Sequence, residues 1–169
     1  MSTENTMVNT SLCYVRQNGC YLMLHRIKKE HDINKDKWIG IGGKFETAES
    51  PEDCMLREAQ EETGLTITDW TYHGIVTFVT ETGFTEFMHL FSSDSFTGSL
   101  RECDEGVLEW VAQNRVAELD LWEGDLIFLR LMENGAPFFS LKLVYDGNML
   151  MHAVLNGKEL HRKDYGVWN

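Results

Sequence analysis

The sequence predicts a mixed α/β layered domain in which β-hairpins and a few helices share one core. Three observations predict it. A capped helix is written at residues 50–64 and a second apolar helix at residues 123–133. The chain around them carries β-branched and aromatic runs broken by turn residues. Helices interleave with hairpins and not with regular parallel crossovers, so a doubly wound sheet is not expected.

Residues 11–15 and 20–25 are apolar runs around Gln17-Asn18-Gly19, and Asn-Gly favours a two-residue hairpin turn. Residues 27–37 are charged and read as a solvated loop, while 38–41 form a short apolar strand running into Gly42-Gly43. Both glycines permit backbone positions closed to other residues. Ser50 can cap a helix, Pro51 suits its first position, and Glu52 and Asp53 favour the positive end of its dipole. Gly64 is the expected stop, after about four turns.

Strands are expected over 67–80 and 84–92, split by Gly83, followed by a loop over 93–106 and a strand over 107–111. Leu126, Ile127, Leu129, Leu131 and Met132 give residues 123–133 a helical apolar face that ends at Gly135. A last strand pair, 138–145 and 149–155, flanks Asp146-Gly147. One domain over residues 1–169 is expected, with its core at about 8–155 and a polar tail at 156–169 whose role is not readable.

Composition narrows the function classes. With 43% apolar residues and only two prolines, 169 residues can bury a core without long linkers. The net charge is −12 and no basic stripe stands out, which disfavours stable nucleic-acid binding. A small phosphorylated ligand fits so acidic a protein only if cations bridge the two. Cys13, Cys20, Cys54 and Cys103 are scattered, which argues against a zinc site or a disulfide framework. No apolar run is long enough for a bilayer, and Met1–Thr10 lacks the layout of a leader; a cytoplasmic protein, monomeric or homodimeric, is expected.

Residues 43–65 carry the chemistry. They read GKFETAESPEDCMLREAQEETGL, or G-x5-E-x7-R-E-A-x-E-E-x-G-L. On a helix, Glu58 has Glu61 and Glu62 three and four places on, so three carboxylates crowd one side. Taken alone, such a run is ordinarily a solvated acidic face. Like charges at this spacing destabilise a helix unless something cationic sits on them, and hard oxygen ligands suit Mg²⁺ or Mn²⁺. Met55, Leu56 and Ala59 can anchor the opposite face, and Arg57 can pair with Glu49.

This stretch resembles the Nudix box at every fixed position. The resemblance implies the Nudix fold, a mixed β-sheet sandwiched between helices with a loop–helix–loop catalytic motif. It implies Glu58, Glu61, Glu62 and the Gly43 carbonyl as ligands of Mg²⁺, for which Mn²⁺ can substitute, with Glu105 completing the site. Either Glu58 or Glu61 would take a proton from water attacking a nucleoside diphosphate derivative. Arg57 and Glu49 would support the catalytic helix.

The resemblance covers roughly residues 10–155 and narrows further. Lys37-Trp38-Ile39-Gly40-Ile41-Gly42-Gly43-Lys44, Leu121-Trp122-Glu123-Gly124-Asp125 and Pro137-Phe138-Phe139 look like the MutT-type hydrolases of oxidised purine nucleoside triphosphates such as 8-oxo-dGTP. Trp122 would then stack on a purine and Asp125 read its edge, with Thr10, Arg26 and Ile41 lining the pocket and Lys44 near a phosphate. Taken singly, Trp122 reads equally as a core aromatic, Asp125 as a first-turn acid and Lys44 as a surface lysine. Ile39 and Gly124 depart from the animal enzymes, which carry an asparagine and a second acid there.

Nucleotide sugars, ADP-ribose and dinucleoside polyphosphates are the competing substrates. Their subfamilies often show a proline or tyrosine where residues 79–82 lie, and neither is present. A non-catalytic nucleotide sensor ordinarily has a decayed box, and this box is intact.

Overall fold

The computed structural model describes residues 6–165. Strand β1 (Met7–Gln17) is the central element because it changes partners along its length. It pairs in parallel with β6 (Thr85–Thr97) from Met7 to Val15. It pairs antiparallel with β4 (Ile41–Lys44) through Thr10–Cys13 and with β2 (Cys20–His25) through Arg16 and Gln17. Asn18 and Gly19 both have positive φ, 52° and 75°, as the two-residue turn between β1 and β2 requires.

The remaining strands are β3 (Trp38–Ile39), β5 (Thr66–Val79), β7 (Val107–Ala112), β8 (Phe139–Asp146), β9 (Met149–Leu155) and β10 (Lys158–Glu159). The sheet runs β10-β9-β8-β5-β6-β1-β2-β3, with β4 added on β1 and β7 on β2. The β1–β6 and β5–β8 pairs are parallel and the others antiparallel, so the sheet is mixed, as expected.

Successive strand residues face opposite sides, and this divides the interior into two cores. Leu12, Tyr14, Val76, Phe78, Leu90, Leu141 and Leu143 pack on one side with Ile127, Phe128 and Met132 of helix α2 (Asp125–Glu133). Cys13, Val15, Ile41 and Phe91 pack on the other with Met55 and Ala59 of helix α1 (Pro51–Thr63). Helices therefore lie on both faces. Among the described residues no helix is long and apolar enough to cross a membrane.

Several boundaries differ from expectation. Residues 93–97 continue β6 instead of opening a loop, because three irregularities in β5 keep the pairing going to Thr66↔Thr97. The serine-rich composition concealed this; Ser93 Oγ donates to the Asp69 carbonyl at 2.6 Å. Helix α2 begins at Asp125 and not at residue 123. A 3-10 helix, Gln113–Glu118, was not anticipated.

The tail is also structured as far as it is described. Asn156-Gly157, with φ of 51° and 82°, turns the chain into β10 on the edge of β9, and a short helix α3 (Arg162–Tyr165) follows. The same Asn-Gly signal that marked residues 18–19 stands at 156–157, so this hairpin was legible. Residues 1–5 and 166–169, part of the span expected as one domain, lie outside the described residues.

Candidate active site

The acidic motif is a loop and helix hung from β4. Ser50 Oγ accepts from the Asp53 backbone N–H and the Asp53 carboxylate accepts from the Ser50 N–H, closing a capping box one residue before Pro51. At the other end Gly64, with φ 81°, is the left-handed cap whose N–H donates to Gln60. The loop is tied to the helix by Arg57. Its Nε and Nη2 donate to Glu49 at 2.7 and 2.9 Å, Nη2 to the Lys44 carbonyl at 3.0 Å, and Nη1 to Glu58 and Glu61 at 2.8 and 3.1 Å. The Arg57 fork holds the Glu49 carboxyl below its ordinary value, and Glu49 in turn holds the guanidinium firmly charged.

Glu58, Glu62 and Glu105 draw together behind this fork. A Cβ on Gly43 would meet the Glu58 carboxylate at 2.5 Å, and one on Gly42 would meet the Ser11 carbonyl at 1.8 Å. Neither glycine has a positive φ, so glycine is needed here for space and not for an unusual backbone angle. The Gly42 N–H donates to Glu62 at 3.3 Å. Glu62 is 7% exposed; burial, then the nearby Glu105 and Glu58 carboxylates, push its carboxyl up to about 9.

Burial also raises Glu58. Burial acts upward on Glu105 as well, but Lys29 and Arg26 outweigh it and hold that carboxyl below its ordinary value. The buried Cys54 Sγ lies 3.4 Å from the Gly43 carbonyl and 3.3 Å from Ser11 Oγ, fixing that carbonyl from behind.

Oxygen donors around a buried Glu62 that has no ion pair among the described residues fit a hard divalent ion. Among the described residues no three such side chains yet converge closely enough to enclose one. Arg57 holds Glu58 and Glu61, and Lys29 and Arg26 hold Glu105, so a cation would draw these carboxylates from their present partners. Glu61, with its side chain 58% exposed, is the most peripheral.

A second cluster lies on the α2 side. Trp122 is 7% exposed, meets Phe78 and Tyr145 edge-on at 5.1 and 5.0 Å, and donates from Nε1 to Asn34 at 2.9 Å. The Lys37 ammonium stands 5.2 Å from its ring centre. Asp125 opens α2 and is 5% exposed; burial lifts its carboxyl to about 8, against the pull of Lys37. Gly124 lets the helix approach β8, since a Cβ there would meet Leu143 at 2.5 Å and the Tyr145 hydroxyl at 2.7 Å. No second acid could fit.

Thr10 faces the same side of the sheet as this cluster, where Leu12 and Tyr14 of its strand also point, and its register partner Lys44 is exposed. Two expected members do not join. Ile41 is buried on the α1 side, because alternate residues of β4 face opposite ways. Arg26 is drawn to Asp32 at 2.7 Å and to Glu105, which places it beside the acidic motif.

Sequence reasoning missed Glu86, to which Thr10 Oγ1 donates at 2.8 Å. The signal was available, since Glu86 shares a strand face with Met88 and Leu90, and a charged residue on an apolar face calls for a partner. Cys54 and Asp32 were also missed, and nothing in their local pattern marks them.

A family model described as NUDIX domain matches residues 6–132. Over 103 residues the chain is 37% identical to the uncharacterized Nudix hydrolase YvcI of Bacillus subtilis, covering 58% of this chain and 65% of that protein. It is 35% identical over 107 residues to the oxidized purine nucleoside triphosphate hydrolase of Danio rerio, covering 62% of this chain and 67% of the relative. The chain thus spans about two thirds of these relatives, and slightly less of the bacterial one. A crystal structure of a MutT protein from Bacillus halodurans superposes with a TM-score of 0.77, covering 88% of this chain and 97% of the other at 24% identity, a likeness of fold.

Proposed function

The chain belongs to the NUDIX domain family, and from that premise we propose that it is a divalent-metal-dependent nucleoside triphosphate pyrophosphohydrolase, acting on oxidised purine nucleotides of the 8-oxo-dGTP class. One observation carries the reading. Gly43 and Lys44 are consecutive on β4, yet Gly43 abuts Glu58 in the acidic cluster while Lys44 is paired with Thr10 on the side of the aromatic one. A nucleotide lying across this strand can reach both clusters at once. The kinship to the Danio rerio hydrolase is consistent with that class of substrate.

In this reading Glu58, Glu62, Glu105, Glu61 and the Gly43 carbonyl hold Mg²⁺ or Mn²⁺. The ion supplies positive charge for the phosphates and Lewis acidity for the attacking water. Glu58 or Glu61 takes the proton of that water; Glu58 lies closer in, against Gly43 and under the Arg57 fork. Arg57 and Glu49 keep loop and helix in register. Lys44 meets a phosphate, Trp122 supports the purine and Asp125 bonds its polar edge.

The test is hydrolysis of 8-oxo-dGTP and dGTP with Mg²⁺ in ¹⁸O-labelled water. Nucleoside monophosphate and pyrophosphate should form, faster from the oxidised base, and excess chelator should stop the reaction. Full turnover in chelator, or inorganic phosphate as the first product, would exclude this activity.

A further inference from the structure

Glu86 lies outside the acidic motif and is far from it in sequence. It is paired with Phe78 across β5–β6, and Phe78 meets the Trp122 ring at 5.1 Å. The Asp125 backbone N–H donates to the Trp122 carbonyl at 3.0 Å, so Glu86, Trp122 and Asp125 are linked through one aromatic contact and one turn. The Thr10 hydroxyl spends its single proton on Glu86 Oε2. Among the described residues Glu86 Oε1 accepts no hydrogen bond, and neither Glu86 nor Asp125 forms an ion pair.

Two carboxyls on this apolar side of the sheet, neither in an ion pair among the described residues, are expensive for a fold unless a ligand supplies donors. They are not equivalent. Asp125 is almost wholly buried and is driven toward its neutral acid. Glu86 is half-buried; burial holds its carboxyl above the ordinary value, against the opposing Thr10 hydrogen bond and the charges of Lys44 and Arg26. Glu86 is therefore the better acceptor of the two.

We propose that Glu86 is a specificity-determining residue that accepts the adjacent N–H donors on the Watson–Crick edge of a guanine-type base. The inference rests on the nucleotide reading above. Guanine presents N1–H and the 2-amino group side by side, a fork that matches the two oxygens of a carboxylate. Adenine presents an acceptor at N1 beside its amino group, so Glu86 would face a lone pair, and a buried mismatch of that kind is strongly rejected. Hypoxanthine keeps N1–H and lacks the 2-amino group, which makes it the intermediate case.

The experiment compares kcat/KM for dGTP, dITP and dATP in the wild type and in Glu86→Gln, which removes the charge and keeps the shape. The wild type should rank dGTP over dITP over dATP, and the substitution should narrow the dGTP-to-dATP ratio by about tenfold or more. A second measurement needs no variant: binding of dGMP and of N1-methyl-dGMP to the wild type by calorimetry, where methylation should weaken binding about tenfold or more. If dNTPs are cleaved but the ratio is the same in Glu86→Gln, or methylated and plain dGMP bind alike, the role of Glu86 is overturned and the nucleotide reading stands. If no nucleotide is cleaved or bound, both fall.

Discussion

The two halves of the candidate site treat their carboxylates in opposite ways. On the α1 side Glu49, Glu58, Glu61 and Glu105 are each held by arginine or lysine, and their fork and spacing come largely from one contiguous stretch. On the α2 side Glu86 and Asp125 have no ion pair among the described residues, and their neighbours Thr10, Phe78 and Trp122 come from distant parts of the chain. Paired carboxylates can be exchanged onto a cation without leaving a charge stranded. Unpaired ones wait for hydrogen-bond donors and reject whatever lacks them. The first arrangement suits catalysis on any nucleoside polyphosphate, and the second suits choice among bases.

Glu62 tests that contrast most severely, since it is the buried member of the α1 side and has no ion pair among the described residues. Glu62→Gln should lower kcat/KM by roughly 10²–10³, about 3–4 kcal/mol of lost electrostatic stabilisation. Its fold should persist by circular dichroism, because glutamine nearly keeps the shape of the side chain. Turnover within a few-fold of the wild type would take Glu62 out of the site.

Asp125 breaks the comparison through pH. Its folded carboxyl titrates near 8 instead of the ordinary 3.8, so folding retains a proton throughout that interval. Its contribution is fully present below about pH 4 and is lost as pH rises through 8, at a slope of at most about 1.4 kcal/mol per pH unit. Asp125→Asn cannot lose that proton. Thermal melts from pH 4 to 9 in metal-free buffer should show the variant overtaking the wild type as pH rises, while its preference for 8-oxo-dGTP over dGTP declines. Parallel stability curves would show that Asp125 is charged in the folded protein.

Arg57→Ala should have a mixed signature. It strips Glu49, Glu58 and the Lys44 carbonyl of a shared donor, costing about 1–3 kcal/mol because the cluster is partly solvated. Activity should fall together with the melting temperature. An inactive variant of unchanged stability would assign Arg57 a direct role with substrate.

The sequence by itself determined what depends on neighbours along the chain. The caps at Ser50 and Gly64, the Asn18-Gly19 turn, and the packing of Glu58, Glu61 and Glu62 on one helix follow from spacing of a few residues, which local geometry converts directly into contact. The mixed α/β layering was legible for the same reason, as hairpin and helix signals each act locally, whereas the mixed sheet between helices followed only from the resemblance to the Nudix family. Tertiary structure alone decided which side of β4 each residue faces. Ile41 in the α1 core and Lys44 beside Thr10 are three residues apart, an odd number that puts them on opposite faces, and a single-residue shift in register would reverse both. It also decided that Arg26 serves Glu105, that Cys54 backs the Gly43 carbonyl, and that Glu86 meets Thr10 across 76 residues of chain. These pairings are set by how strands stack into a sheet, and the pattern within any one strand does not contain them.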